Sequence, residues 1–156
     1  MIYLIEQYKG GNNVYNIPIL MRLTAGINLS SLISALRSIH SRHEILRSVF
    51  LMDELGRSYR SILDAENNPL EIDEERYTSR ECLDSSIASE MNYVFRLSEG
   101  YPIKVKLHEL FREGEVVIYL SVVIHHIVFD GWAGGIFEQE LMAYYYYYES
   151  LSHRII

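Results

Sequence analysis

The chain has 156 residues, of which 49% are hydrophobic and 22% are charged, a composition typical of one soluble globular domain. Its formal net charge of -7 argues against nucleic acid or an anionic membrane as the main partner. The longest apolar run, Val116 to Phe129, is too short to span a bilayer. A single cysteine cannot form an internal disulfide, so we expect a cytoplasmic protein. The length predicts one domain over residues 1–156.

In chain order, the first elements are a strand and a helix. Val14 to Leu23 is rich in β-forming residues around Pro18, which predicts an edge strand or a strand interrupted near the proline. Asn28 or Ser30 can cap the helix that follows. Its apolar residues recur at the helical period and predict one buried stripe, formed by Leu29, Leu32, Ile33, Leu36 and Ile39.

The middle of the chain predicts a strand pair, a surface connection and a second helix. The segments 45–52 and 58–63, with a glycine-containing loop between them, are typical of a β-hairpin. The acidic connection 64–78 contains a short predicted strand at 70–72, and a helix follows over about 80–95. The predicted buried side of that helix carries Leu83, Ile87, Met91 and Val94, and its Cys82 is expected to be a packed thiol.

Three elements are predicted after Pro102. Residues 103–107 alternate between apolar and charged, which indicates a strand with one solvated face. Residues 116–124 form a nearly continuous apolar run, which predicts a strand covered on both faces. The final helix, over about 134–149, contains five consecutive tyrosines. Consecutive positions spread around a helix, so we expect some of these rings in the core and others on the surface.

Two histidines end the buried strand and are followed by a carboxylate and a glycine: His125, His126, Asp130 and Gly131. Successive side chains of a strand point to opposite faces, so the two imidazoles cannot both face one reacting centre. We therefore expect one histidine to be chemical and the other structural. The competing interpretation is a pair of core histidines satisfied by backbone groups.

A second histidine pair is a candidate metal site. His40 and His43 are three residues apart near the end of the first predicted helix. They could share an ion, but helix-end imidazoles near the negative end of the helix dipole are the simpler interpretation. No metal site is predicted, because no other cluster of His, Cys or carboxylates has ligand spacing.

Two motifs resemble those of the condensation domains of nonribosomal peptide synthetases. Residues 42–50, RHEILRSVF, resemble the family's RHExLRTxF motif, and residues 125–131, HHIVFDG, match its HHxxxDG motif. Three shorter segments agree in order, residues 15–18 with YNIP, 95–98 with FDLS and 131–133 with DGWS, apart from Arg96 and Ala133. The resemblance implies the amino-terminal lobe alone, because the family's first motif and its second lobe have no counterpart in the chain.

The resemblance implies an α+β fold, a chloramphenicol-acetyltransferase-like lobe in which a mixed β-sheet packs against helices. It also implies amide bond formation between acyl or aminoacyl thioesters carried on the phosphopantetheine arms of donor and acceptor carrier domains. No cofactor is expected to bind the chain directly. In the family the active centre lies in a tunnel between two lobes, so the carboxy-terminal lobe is an expected partner.

By position in the motif, His126 would face the tunnel near the attacking amine, and His125 would support the strand. An α-amino group has an ordinary pKa of about 8, so about a tenth of it is already neutral near pH 7. Strong base catalysis is therefore not needed. We expect His126 to position the amine and to handle a proton in the tetrahedral intermediate.

The remaining site residues are also carried over from the resemblance. Asp130 would hold its loop by a salt bridge to an arginine, for which Arg42 and Arg47 are the candidates, because a buried carboxylate without a partner is strongly disfavoured. Gly131 would let the backbone approach the reacting carbonyl. Trp132 would lie in the substrate tunnel.

Other functions stay open. Related acyltransferases that use coenzyme A share the HHxxxDG motif, but the RHExLR-like segment favours condensation domains. Epimerisation domains share the motif too, and they differ in the second lobe. A further alternative is a non-catalytic truncated lobe, or a fragment that binds a carrier domain. For the isolated chain this alternative is favoured over independent catalysis, because half a tunnel neither holds both substrates nor excludes water.

Overall fold

The computed structural model describes residues 2–6, 15–129 and 133–154, the first of these ranges by its backbone alone. The strands are β1 (Ile2–Glu6), β2 (Asn16–Leu23), β3 (Ser48–Met52), β4 (Ser58–Ile62), β5 (Ile72–Tyr77), β6 (Ile103–Arg112) and β7 (Glu115–His125). The helices are α1 (Leu29–Arg42), α2 (Arg80–Met91) and α3 (Ala133–Ser152), and a short 3-10 helix spans Glu44–Arg47.

The chain divides into two compact units. Unit 1 comprises Met1–Ile27, Glu71–Val94 and Ile103–His126. Unit 2 comprises Asn28–Leu70, Phe95–Pro102 and Ile127–Ile156. Within the described ranges, neither unit has a helix that is long and apolar enough to cross a membrane.

Unit 1 contains a five-stranded mixed sheet in the order β1-β2-β7-β6-β5, in which only β5 and β6 pair in parallel. β7 is the central strand. The prediction of a strand covered on both faces is confirmed for Tyr119 to Ile124, which are all buried, but not for the start of the predicted run, where Val116 is 45% exposed. A two-residue turn joins β6 to β7, where Glu113 and Gly114 have φ angles of 53° and 80°, as tight hairpins require. The mixed sheet and the helices confirm the predicted α+β class.

Both alternatives predicted around Pro18, an edge strand and an interrupted strand, are wrong, because β2 is continuous over Asn16–Leu23 and lies between β1 and β7. Pro18 pairs with Val123 of β7, whereas the β1 ladder ends at the pair of Glu6 and Leu20. One side of β2 at Pro18 therefore faces no described strand. A missing backbone N–H is tolerated at such a position for the reason that usually confines proline to sheet edges.

Two predicted boundaries in unit 1 are wrong. The short strand expected at 70–72 is β5 at Ile72–Tyr77, whose central residues are exposed and charged, as is common for an edge strand. The second helix ends at Met91 rather than near residue 95, so Val94 is 70% exposed instead of buried. The expectation of a packed Cys82 is also wrong, because this thiol is exposed.

Unit 2 is built on the packed pair of α1 and α3. The Asn28 side chain caps α1 by accepting from the Ser31 N–H at 3.1 Å, which confirms the predicted helix start. α1 buries one stripe, formed by Ser31, Leu32, Ala35, Leu36, Ile39 and His40. The β3–β4 hairpin confirms the predicted strand pair, but residues 45–47 belong to the 3-10 helix and not to its first strand.

The tyrosine run of α3 divides between core and surface, as predicted. Tyr145 is buried, and its hydroxyl accepts from the Asn28 N–H at 3.1 Å. Tyr148 shares a 2.7 Å hydrogen bond with Ser38 of α1. Tyr146 and Tyr147 are 57% and 56% exposed.

Candidate functional site

The two motif histidines have different surroundings at the end of β7. His125 is the last residue of the strand and is half-buried, and its ring stacks on Tyr15 with centroids 6.1 Å apart. Burial, and then the nearby His126, lower the pKa of His125, so its neutral form is favoured. His126 lies one residue beyond the strand and is exposed. Of the two motif imidazoles, His126 is therefore the more exposed.

The start of β2 holds the backbone of both histidines. The carbonyl of Tyr15 accepts from the His126 N–H at 2.6 Å, and Asn16 pairs with His125 across the sheet. The Asn16 side chain donates to the carbonyl of Tyr93 at 2.6 Å. Tyr15 and Asn16 belong to the YNIP segment, and their contacts with the histidines were not predicted. The available signal was that this segment lies within the predicted strand over Val14 to Leu23.

Arg47 belongs to unit 2 and binds backbone carbonyls. Its Nε donates to the carbonyl of Ser41 at 3.0 Å, and its Nη1 donates to the carbonyl of Leu63 at 2.6 Å. These bonds tie the end of α1 to the residue after β4. The predicted salt bridge from Arg47 or Arg42 to Asp130 stays a prediction, because Asp130, Gly131 and Trp132 lie outside the described residues.

Arg42 and its neighbour His43 share a carboxylate, Glu140 of α3. Arg42 Nε lies 3.6 Å from Glu140 Oε1, and His43 Nε2 lies 2.5 Å from Glu140 Oε2. A hydrogen bond with Tyr144, and then the charge of Glu140, raise the pKa of Arg42. The Glu140 side chain is 18% exposed. This carboxylate was not predicted as a site residue, because it lies 97 residues from His43 along the chain.

A cavity of about 170 Å³ lies beside the contact of His43 with Glu140, within unit 2. Its polar lining residues are His43 and Glu140, and its apolar lining residues are Ile39, Ile45, Leu46, Val128, Phe129, Ala133, Ile136 and Phe137. Val128 and Phe129 are variable positions of the HHxxxDG motif. The cavity therefore lies against the second half of that motif and the start of α3.

His40 is not the dipole-stabilised helix-end histidine that the sequence suggested. It is 1% exposed, and burial, then the charge of Arg47, lower its pKa to about 4. Its ring packs edge-on against Tyr101 with centroids 4.6 Å apart. A search of the described residues finds no group of three or more His, Cys, Asp or Glu that could hold a metal ion.

Comparison with known proteins places these features in one family. The family model of the condensation domain matches residues 1–152. N-(5-amino-5-carboxypentanoyl)-L-cysteinyl-D-valine synthase of Amycolatopsis lactamdurans is 38% identical over 142 residues, which cover 91% of this chain and 4% of that protein.

Solved structures agree with the family match. The complex of the X-domain and OxyB from teicoplanin biosynthesis is matched with a TM-score of 0.71 and 26% identity, over 90% of this chain and 28% of that one. A structure describing condensation domain-mediated chain release from the enacyloxin polyketide synthase is matched with a TM-score of 0.67 and 26% identity, over 85% of this chain and 25% of that one. The chain thus spans a small part of its relatives, and it belongs to the condensation domain family.

Proposed function

We propose that the chain contributes to amide bond formation in nonribosomal peptide synthesis, as the amino-terminal lobe of a condensation domain. The observation that supports this most directly is the exposed His126 at the end of a buried central strand, held through its backbone by Tyr15. The match to the condensation domain family and the similarity to N-(5-amino-5-carboxypentanoyl)-L-cysteinyl-D-valine synthase support this reaction class. The chain spans 4% of that synthase, so the activity is proposed for the parent domain.

The substrates are a donor thioester and an acceptor amine, each on the phosphopantetheine arm of a carrier domain. The amine nitrogen forms a bond to the donor carbonyl carbon, and the carbon–sulfur bond then breaks to release the donor carrier's thiol. His126 would orient the amine and take its proton, which is returned to the leaving sulfur. Orienting two tethered reactants supplies a large share of such a rate enhancement, so His126 need not be a strong base.

His125 has a structural role in this proposal. Its half-buried ring on Tyr15 and its lowered pKa favour a neutral imidazole that packs against the sheet. Asp130 would hold its loop by a salt bridge to an arginine. Gly131 would let the backbone approach the reacting carbonyl. Trp132 would line the path of the substrate.

The test uses the parent condensation domain with donor-loaded and acceptor-loaded carrier proteins. We expect His126→Ala to lower the rate of amide formation by about 10² to 10⁴-fold, the usual contribution of a positioned acid–base group. His153→Ala is the matched control, because His153 is an exposed histidine near the end of α3. Near-normal turnover by the His126→Ala variant would refute the assigned role.

A second candidate function is binding without catalysis. The observation that favours it is the similarity to an X-domain that was solved in complex with another protein, OxyB. The parent domain, mixed with loaded carrier proteins, separates the two functions, because the isolated chain is expected to form no amide under either of them. Carrier binding by the parent domain without amide product would support the non-catalytic function, whereas amide formed by the parent domain would exclude it.

A further inference from the structure

The start of α3 has little helical preference of its own. Gly134 and Gly135 occupy its first turn, where no acidic residue is present. Glycine is about 1 kcal/mol less favourable than alanine in a helix, and an acidic residue would have favoured the positive end of the helix dipole. A Cβ atom at either glycine would meet no atom within 4 Å, so close packing does not require these glycines.

An aromatic contact and a cavity both border this region. Phe129 and Phe137 are both buried, and their rings meet edge-to-face with centroids 6.3 Å apart. The cavity of about 170 Å³ is bounded by Val128, Phe129 and Ala133. Side chains facing a void lose the contacts that would otherwise hold them. A polar contact between α3 and the rest of unit 2 would therefore add restraint where a cavity interrupts the packing.

Glu140 supplies that restraint from the second turn of α3. With its carboxylate as acceptor, the imidazole of His43 donates across 2.5 Å, and Arg42 adds a charge at 3.6 Å. Hydrogen bonds to charged groups are shorter and stronger than neutral ones. Both partners lie at the end of α1, where Arg42 is its last residue and His43 its cap. The contact therefore holds the end of α1 against the second turn of α3.

We propose that Glu140 is a positioning residue for residues 127–129, the described variable positions of the HHxxxDG motif. Its bond to His43 holds the start of α3, and through the packing of Phe137 on Phe129 it holds residues 127–129. This assignment rests on the proposed function for its catalytic consequence. Its structural consequence, restraint of residues 127–129 and of the first turns of α3, is independent of any activity.

The first experiment is amide hydrogen exchange of the chain itself. We expect Glu140→Gln to speed exchange about tenfold or more in residues 127–129 and 133–141, as the loss of a charge-assisted hydrogen bond predicts. β6 and β7 should keep their protection. Glu138→Gln is the matched control, since Glu138 lies exposed on the same helix. Unchanged exchange in the Glu140→Gln variant would overturn the proposal, and so would an equal rise throughout α1 and α3.

The second experiment measures amide formation by the parent domain. We expect Glu140→Gln to lower kcat about 10 to 100-fold while the KM for the loaded carriers changes less than about threefold, because the group acts on geometry and not on binding. His43→Gln should give a similar loss, and the double variant should lose little more than either single variant. Wild-type kcat in Glu140→Gln, or losses that multiply in the double variant, would contradict the proposal.

The two experiments distinguish failure of this inference from failure of the proposed function. If the wild-type parent forms amide and Glu140→Gln is as active, the inference fails and the function stands. If the wild-type parent forms no amide, the function fails, and the exchange data alone decide whether Glu140 restrains residues 127–129.

Discussion

Acid should destabilise unit 1 through one buried imidazole, His108 of β6. This residue is 0% exposed. Its Nε2 lies 2.8 Å from the hydroxyl of Ser121, and its Nδ1 lies 3.3 Å from the hydroxyl of Tyr77. Because Tyr77 donates its proton to Glu75 at 2.7 Å, its oxygen can accept from His108 Nδ1–H, and Ser121 can donate to Nε2. A neutral imidazole is satisfied on both nitrogens by this arrangement.

Burial, followed by the charge of Lys106, lowers the pKa of His108 to about 4. The folded state thus binds fewer protons than the unfolded state, where the pKa is near 6.5, so stability falls as the pH drops below about 6.5. Linkage predicts a loss of about 2 kcal/mol between pH 7 and pH 5, and about 3 kcal/mol below pH 4. A loss of this size is a large fraction of the roughly 5 to 15 kcal/mol that typical domains possess.

The assay is urea denaturation at pH 7, 6 and 5, followed by far-ultraviolet circular dichroism, on the wild type and on His108→Gln. Glutamine keeps one donor and one acceptor but cannot titrate, so the variant should be less stable at pH 7 yet lose about 2 kcal/mol less on going to pH 5. His153→Gln, at an exposed position, should keep the wild-type slope. An unaltered slope in His108→Gln would refute the reasoning, as would an NMR titration placing the pKa of His108 near 6.5.

Two further predictions concern residues that frame the site. Gly134→Ala and Gly135→Ala should each raise the free energy of unfolding by about 0.5 to 1 kcal/mol, because alanine favours the helix and its Cβ meets no atom within 4 Å. Urea denaturation measures this gain. A lower free energy of unfolding in either variant would show that the added Cβ is not tolerated. Asn16→Ala should lower the stability by about 1 kcal/mol, because the carbonyl of Tyr93 loses its 2.6 Å donor; Asn16→Asp, which cannot donate, should lose a similar amount, whereas an unchanged midpoint in both would show that this bond adds nothing.

Apolar periodicity predicted the elements whose burial is itself periodic or continuous. α1 was predicted because its stripe recurs at the helical period and Asn28 supplies a cap. β7 was predicted because a central strand is covered on both faces and needs no polar alternation. In both cases the information lies within the segment. Local sequence was sufficient for the stretches that face one environment, the stripe of α1 and residues 119–124 of β7.

β5 was misplaced because its stabilising partners lie elsewhere in the chain. Its acidic residues are matched by lysines of β6, with Lys106 Nζ 2.6 Å from Glu75 and Lys104 Nζ 3.9 Å from Asp73. Taken alone, the segment is a run of charges, which is typical of a surface connection. The parallel register that pairs Asp73 with Lys106 is visible only when the sheet has formed.

The residues of the candidate site show the same difference between local signals and contacts with distant segments. The histidines were predicted because a polar pair that ends a buried run is a local anomaly, and the family is shown by the match of its model to residues 1–152. The contacting residues come from distant segments. The carbonyl of Tyr15 accepts from the backbone N–H of His126, and the carboxylate of Glu140 binds His43 of the other motif. A substitution scan restricted to the motif would therefore miss the residues that hold it. Because each support pairs elements far apart in the chain, a paired variant such as His43→Gln with Glu140→Gln tests it better than either change alone.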